Sequence, residues 1–205
     1  MVVSAPQMPD KTNVTGVLLA GGLGRRMSID GHGTDKGLLA FRGKPLARHV
    51  IDRVIPQVST LLINTGPDSD PWRSFGLPLV ADLVPGRVGP LAGLHAAMTV
   101  ATTPWVLSVP CDTPFLPSNL LERLANAQKG IGADRVSVRC GEQSHPVIAL
   151  VRSELASGLR DYLEKGGRRI EAWLASGRWA QADFDDEEAF ANLNTPEELR
   201  RLEAL

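Results

Sequence analysis

The sequence predicts a single α/β domain built on a mostly parallel sheet. Three observations predict it. The apolar run Val14–Ala20 is too short for an amphipathic helix and breaks directly into Gly21, Gly22 and Gly24, as a buried parallel strand does when it feeds a ligand-binding turn. Further short apolar runs follow, and segments of helical periodicity separate them, as in a sheet wound with helices. The chain has 205 residues of ordinary globular composition, which suits one domain with a sizeable core.

Composition narrows the function classes. The formal net charge is −1, so no global basic field draws the chain to nucleic acid or to a membrane surface. The two cysteines, Cys111 and Cys140, form no CxxC or zinc spacing, so neither a disulfide framework nor a structural metal is indicated. Residues 1–13 (MVVSAPQMPDKTN) lack the apolar run of a signal peptide and read as a flexible tail. No segment reaches membrane-spanning length, and the expected location is the cytoplasm.

Along the chain, the first strand ends in the stretch GGLGRRMSIDGHGTDK. Glycines after a strand let backbone N–H groups approach an anion, and Arg25 and Arg26 add fixed positive charge with bidentate geometry. A nucleoside triphosphate fits, though a Gly-rich turn with two solvated arginines has the same spelling. The loop is neither a Walker loop nor a dinucleotide fingerprint: Arg25 stands where Lys should follow the last glycine, and Met27 where a third small residue should pack. Lys36 closes the stretch, either as a compact charge suited to a phosphate or as a surface lysine, the reading that composition alone favours.

Pro45–Val58 reads as a helix with Pro45 at its first position and an end near Pro56. Leu61–Ile63 is a strand ending in Asn64, where a side chain either contacts a base or ribose or caps the following turn. Leu77–Ala81 is a third strand with Asp82 after it, and Leu91–Ala101 a helix. Pro104–Val109 is a fourth strand. The stretch Pro110–Pro114 after it carries Asp112, a carboxylate fixed between two prolines that is either suited to hold Mg²⁺ against phosphates or an Asp-Pro-type turn residue. Pro117–Gln128 is a helix, and Arg135–Cys140 and His145–Val151 are strands. Ser153–Glu164 is a helix capped by Ser153, and Arg178–Phe184 a late strand. Thr195-Pro196-Glu197-Glu198 has the spelling of a helix start.

The motifs LAGGLGRRM, DKGLL (Asp35–Leu39), GKPL (Gly43–Leu46), GPLAG (Gly89–Gly93), PCDTPFLP (Pro110–Pro117), HPVIAL (His145–Leu150), GGRR (Gly166–Arg169) and ANLNTPEEL (Ala191–Leu199) resemble, in this order, those of nucleotidyltransferases with a glycosyltransferase-A-like fold. Within that group the chain is most similar to the molybdenum cofactor guanylyltransferase (MobA) family, over nearly its whole length. The resemblance implies a three-layer α/β/α sandwich of the nucleotide-diphospho-sugar transferase type with a Rossmann-like nucleotide-binding half. It implies a GTP- and Mg²⁺-binding half over 14–115 and an acceptor-binding half over 116–205. Leu19, Ala20, Gly21, Gly22, Gly24, Lys36, Asn64, Asp82, Gly93 and Asp112 would meet the nucleotide, with Arg25, Lys36 and Asp112 catalytic and Asp112 the metal ligand. His145, Arg168, Arg169, Asn192 and Asn194 would meet the acceptor, although a strand-initial histidine bonded to a carbonyl is an equal reading for His145. The 27–34 loop is longer than its counterpart in the family usually is.

The activity implied is transfer of GMP from GTP to molybdenum-loaded molybdopterin, releasing pyrophosphate. Cofactor-insertion and molybdopterin-synthesis proteins are the implied protein partners. The Ala20-Gly21-Gly22 form of the loop goes with guanylyltransferases, whereas the related cytidylyltransferases usually carry a second alanine. A CTP-dependent or sugar-phosphate nucleotidyltransferase is the nearest rival. A silent nucleotide-binding adaptor is the rival from another class, and loss of Lys36 or Asp112 would have marked it; both are present.

Overall fold

The computed structural model describes residues 7–21, 35–66, 69–85, 89–193 and 198. Nine strands and five α-helices follow one another in these residues. They are β1 (Val14–Leu19), β2 (Ala40–Phe41), β3 (Lys44–Pro45), α1 (Leu46–Val54), β4 (Thr60–Thr65), β5 (Leu79–Ala81), α2 (Pro90–Val100), β6 (Trp105–Pro110), α3 (Leu120–Ile131), β7 (Arg135–Cys140), β8 (Gln143–Arg152), α4 (Ala156–Glu164), α5 (Ile170–Ala175) and β9 (Trp179–Phe184). Seven strands form one sheet in the order β5-β4-β1-β6-β8-β7-β9, and β2 and β3 form a small separate hairpin. Only β8 runs against its neighbours in that sheet.

Helices cover both faces. On one, Val50, Ile51 and Val54 of α1 and Leu120 and Leu124 of α3 pack on Leu18, Leu107 and Leu150. On the other, α2, α4 and α5 bring Leu91, Leu94, Leu159, Leu163 and Trp173 onto Val17, Val106 and Ala149. β1 is buried along its whole length because helices lie on both sides of it, so its sequence is a continuous apolar run rather than an alternation. α2 is buried from Leu91 to Met98, being packed between the sheet and α4, which explains an apolar composition with no polar stripe.

The expected architecture is present, and differences lie at element ends. Pro45 is outside α1, in β3, so its ring leads into the helix without occupying it. After Val54 the chain tightens into a 3-10 turn, Ile55–Gln57, that accommodates Pro56. Ser153 does not cap a helix. It opens a 3-10 turn, Ser153–Leu155, and its hydroxyl donates to the Thr103 carbonyl at 2.6 Å. Residues 7–13, expected to belong to a flexible tail, are tied down both locally and to the core: Asn13 Nδ2 donates to the Met8 carbonyl at 2.8 Å, and Trp105 Nε1 to that of Gln7 at 3.0 Å. The TPEE stretch from Thr195 lies outside the described residues apart from Glu198.

Candidate active site

Strand register brings the candidate residues to one edge of the sheet. Val80, Asn64, Leu19 and Pro110 lie in one row across β5, β4, β1 and β6. Two positions further along each chain come Asp82, Gly21 and Asp112, beyond the carboxyl ends of parallel strands, where open α/β sheets bind ligands. β8 is antiparallel, so its beginning, with His145, lies at this same end. The Ala20 N–H donates to the Asn64 carbonyl at 2.9 Å, which carries the pairing of β1 and β4 past the strand end.

Lys36 and Asp112 meet at this edge. Lys36 Nζ is 3.6 Å from Asp112 Oδ2, and both side chains are mostly buried, at 21% and 16% exposure. Burial raises the Asp112 carboxyl pKa above its ordinary range, and the Lys36 ammonium works against that rise. A largely desolvated carboxylate beside the Lys36 ammonium favours further positive charge next to it. Among the described residues no group of three or more His, Cys, Asp and Glu side chains is placed to hold a metal ion. Mg²⁺ commonly takes one or two carboxylates and completes its shell with phosphate oxygens and water. Asp112 therefore fits a divalent cation that arrives with a triphosphate.

The neighbouring cluster is Asn64, Asp82, Gly93, Leu19 and Gly21. Asn64 Nδ2 donates to Asp82 Oδ1 at 2.9 Å and to the Val80 carbonyl at 3.2 Å. Both amide hydrogens are committed, so Asn64 offers a ligand only its Oδ1, an acceptor. Asp82 is exposed and is likewise acceptor-only when ionised. Gly93, in the first turn of α2, lets the helix approach closely: a Cβ there would lie 2.1 Å from Asn64 Oδ1 and 2.8 Å from Leu19 Cδ2.

The late motifs divide. Asn192 comes to the site: its Oδ1 accepts the Thr113 hydroxyl at 2.8 Å, and the Leu193 N–H donates to the Asp112 carbonyl at 2.9 Å. The 190s thus brace the backbone that carries Asp112. His145 lies against Phe190, ring centroids 5.3 Å apart, and burial lowers its pKa. Arg168 turns back on its own segment, with Nη1 donating to the carbonyls of Leu163 and Gly167. It borders a cavity of about 760 Å³ between α2 and α4, together with His95, Thr99 and Arg160. His95 follows Gly93 by two residues, so it points to the opposite side of α2 from Asn64. Arg169 has an exposed side chain, and its carbonyl accepts the Tyr162 hydroxyl at 3.0 Å. Gly22, Gly24, Arg25, Arg26, the 27–34 loop and Asn194 lie outside the described residues.

Sequence reading did not single out Trp72. It stands in the 3-10 segment Asp70–Phe75 between β4 and β5, fully buried, and its Nε1–H donates to Asp35 Oδ2 at 2.9 Å. No periodic pattern marks a six-residue 3-10 segment. The available signal was one tryptophan among polar residues and prolines directly after a strand. Cys111 packs against the core, burial pushes its thiol well above the ordinary range, and the Asp112 and Asp35 carboxylates push it further.

Comparison with known proteins gives consistent matches. A family profile described as the MobA-like NTP transferase domain matches residues 16–181. A protein of Cupriavidus necator named molybdenum cofactor guanylyltransferase is 45% identical over 195 residues, covering 93% of this chain and 96% of its own. Among solved structures, molybdopterin-guanine dinucleotide biosynthesis protein A from Archaeoglobus fulgidus superposes with a TM-score of 0.74 at 26% identity, covering 93% of this chain and 97% of its own. A Mycobacterium tuberculosis protein solved in complex with manganese shares the fold, with a TM-score of 0.68 at 19% identity and coverage of 95% and 99%.

Proposed function

The chain belongs to the family of MobA-like NTP transferase domains, and on that premise we propose that it transfers GMP from GTP to the terminal phosphate of molybdenum-loaded molybdopterin, forming molybdopterin guanine dinucleotide and releasing pyrophosphate. The observation that carries the chemistry is the Lys36–Asp112 pair at the carboxyl edge of β1 and β6. The named activity of relatives at 45% identity over nearly the full chain supports the substrates.

The acceptor phosphate is already a nucleophile, so the protein has to place it in line with the α-phosphorus and offset charge. An acceptor oxygen forms the new bond to the α-phosphorus as the bond to the β-phosphate oxygen breaks, and pyrophosphate leaves with that electron pair. Lys36 holds a phosphate oxygen. Asp112 is the residue that would hold Mg²⁺, which when bound supplies Lewis-acid charge neutralisation at the phosphates. The Leu193 N–H and Asn192, through Thr113, keep the Asp112 segment in place during the transfer. We assign the nucleotide to residues 14–115, with Leu19, Ala20 and the glycine loop beneath it. Arg25 and Arg26 take the developing pyrophosphate charge. We assign the acceptor to 116–205, with His145 and Asn192 on the Asp112 edge and Asn194 joining them on the resemblance alone.

Base choice follows from donor and acceptor inventory. The Watson–Crick edge of guanine presents N1–H and N2–H₂, which are donors. Asn64 Oδ1 and the Asp82 carboxylate present acceptors, and the edge of cytosine lacks two adjacent donors to match them. The test measures pyrophosphate release from GTP, CTP and ATP with Mg²⁺ and molybdenum-loaded molybdopterin. Turnover with GTP alone, lost in Lys36→Ala, is the expected result. A preference for CTP would move the chain to cytidylyl transfer, and no nucleotide binding at all would sink the enzymatic reading.

A further inference from the structure

We infer that Trp72 and Asp35 are positioning residues that hold Lys36 against Asp112. This rests on the role given to Lys36 and Asp112 above.

Lys36 comes from a polar, glycine-containing stretch rather than from the sheet, and a lysine side chain has much rotamer freedom to lose. Its two sequence neighbours are what the structure grips. On one side, the Asp35 carboxylate accepts the Trp72 indole N–H at 2.9 Å. That bond is charge-assisted, and it supplies the acceptor a buried indole requires. On the other side, Gly37 lies flat against the same indole and against Cys111: a Cβ on Gly37 would stand 2.5 Å from Trp72 Cη2 and 3.1 Å from Cys111 Cβ and Sγ. Cys111 immediately precedes Asp112, and its N–H donates to the Leu19 carbonyl at 3.3 Å. The Asp35–Gly37 backbone is therefore wedged between an indole and the strand end that carries the carboxylate. Lys36, between the two gripped residues, comes within 3.6 Å of that carboxylate.

Trp72 is itself fixed. It is 0% exposed and stacks on Phe75, with centroids 5.4 Å apart and planes 27° from parallel. The Asp70–Phe75 segment links β4, which carries Asn64, to β5, which leads directly into Asp82. One indole thus ties the lysine arm to the part of the chain that bears the other candidate nucleotide contacts. A residue that only filled the core would need its ring here but not its N–H, and would not need Asp35.

The test is a double-mutant cycle on Trp72→Phe and Asp35→Ala, with Asp35→Asn as the conservative variant, whose Oδ1 still accepts from the indole. Three readouts are taken on full-length protein shown to be folded by circular dichroism. They are calorimetric binding of Mg²⁺–GTP, amide hydrogen exchange over 36–39, and kcat and KM for GTP. Each single variant is expected to weaken Mg²⁺–GTP binding about tenfold, the usual scale for removing a partner that orients a binding group. Exchange over 36–39 should rise, the double variant should be no worse than the weaker single, and Asp35→Asn should recover most of the loss. Wild-type binding and exchange in Trp72→Phe and Asp35→Ala, with only a lower Tm, would overturn the inference, as would strictly additive losses. If Lys36→Ala leaves Mg²⁺–GTP binding unchanged, it is the functional reading of Lys36 that fails, and exchange over 36–39 then decides the clamp alone.

Discussion

Replacing Gly93 by alanine sets two effects of opposite sign against each other. Helix propensity favours the change: alanine in a helix interior is worth ~1 kcal/mol over glycine. Packing opposes it. The new methyl would stand 2.1 Å from Asn64 Oδ1, 2.6 Å from Asn64 Cγ and 2.8 Å from Leu19 Cδ2, all under the closest approach that real Cβ atoms show. Asn64 cannot simply rotate away, because its Nδ2 is bonded to both Asp82 and the Val80 carbonyl. Overpacking costs about 1–3 kcal/mol, and each disturbed hydrogen bond roughly 0.5–1.5 kcal/mol more, the bond to the exposed Asp82 carboxylate being screened by solvent. The balance is a net loss of about 1–5 kcal/mol after the gain in propensity, and at roughly 2–4 °C per kcal/mol for a chain of this size the Tm drops by several degrees or more. GTP binding falls too, because Asn64 moves. Thermal unfolding with calorimetric GTP titration reads both. The pair Gly93→Ala with Asn64→Ala should regain much of the lost stability, since the side chain that was struck is gone, and should not regain GTP affinity. A single variant with a raised Tm and wild-type affinity would refute the reasoning, because it would mean that propensity alone governs and that α2 does not press on Asn64.

Three further outcomes are expected. Asp112→Asn should lower turnover by at least ~100-fold yet raise Tm in the absence of nucleotide. Burial, partly offset by Lys36, lifts the Asp112 pKa above the ordinary carboxylate range, so the ionised carboxylate costs stability as pH rises from the unfolded-state pKa through the folded one; the gain in Tm should be complete above the folded pKa and vanish at a pH below the ordinary carboxylate range, and a lower Tm at pH 7 would contradict it. Cys111 should resist iodoacetamide at pH 8 in the folded protein and react only on unfolding, as burial holds its thiol protonated; mass spectrometry of the labelled protein checks this. Asn192→Ala removes the acceptor of the Thr113 hydroxyl beside Asp112 and should lower kcat about tenfold with little change in the KM for GTP, which steady-state kinetics would show.

What the sequence reveals and what it hides have separate physical causes. Parallel strands buried on both faces announce themselves as short apolar runs, and the ligand edge lies where each run ends. Asn64, Asp82 and Asp112 were therefore found as the residues following Ile63, Ala81 and the Val109 run. Periodicity cannot report contacts made between elements. The Asp35–Trp72 bond spans 37 residues and the Thr113–Asn192 bond 79, and neither has a local signature. Arg168 shows the converse case. Its motif groups it with acceptor residues, but its guanidinium is bonded to carbonyls of its own segment and faces the α2–α4 cavity, because the turn after α4 leaves the Leu163 and Gly167 carbonyls within its reach. A short motif fixes residue types at a spacing. The side chain's direction is set by the nearest backbone carbonyls that can still accept a hydrogen bond, and these depend on where the helix happens to end. At the Lys36–Asp112 pair the motif and the packing agree. Asp35 and Gly37 of the same DKG triplet are the two residues that the indole holds, so the whole triplet is accounted for by one contact surface rather than by the lysine alone.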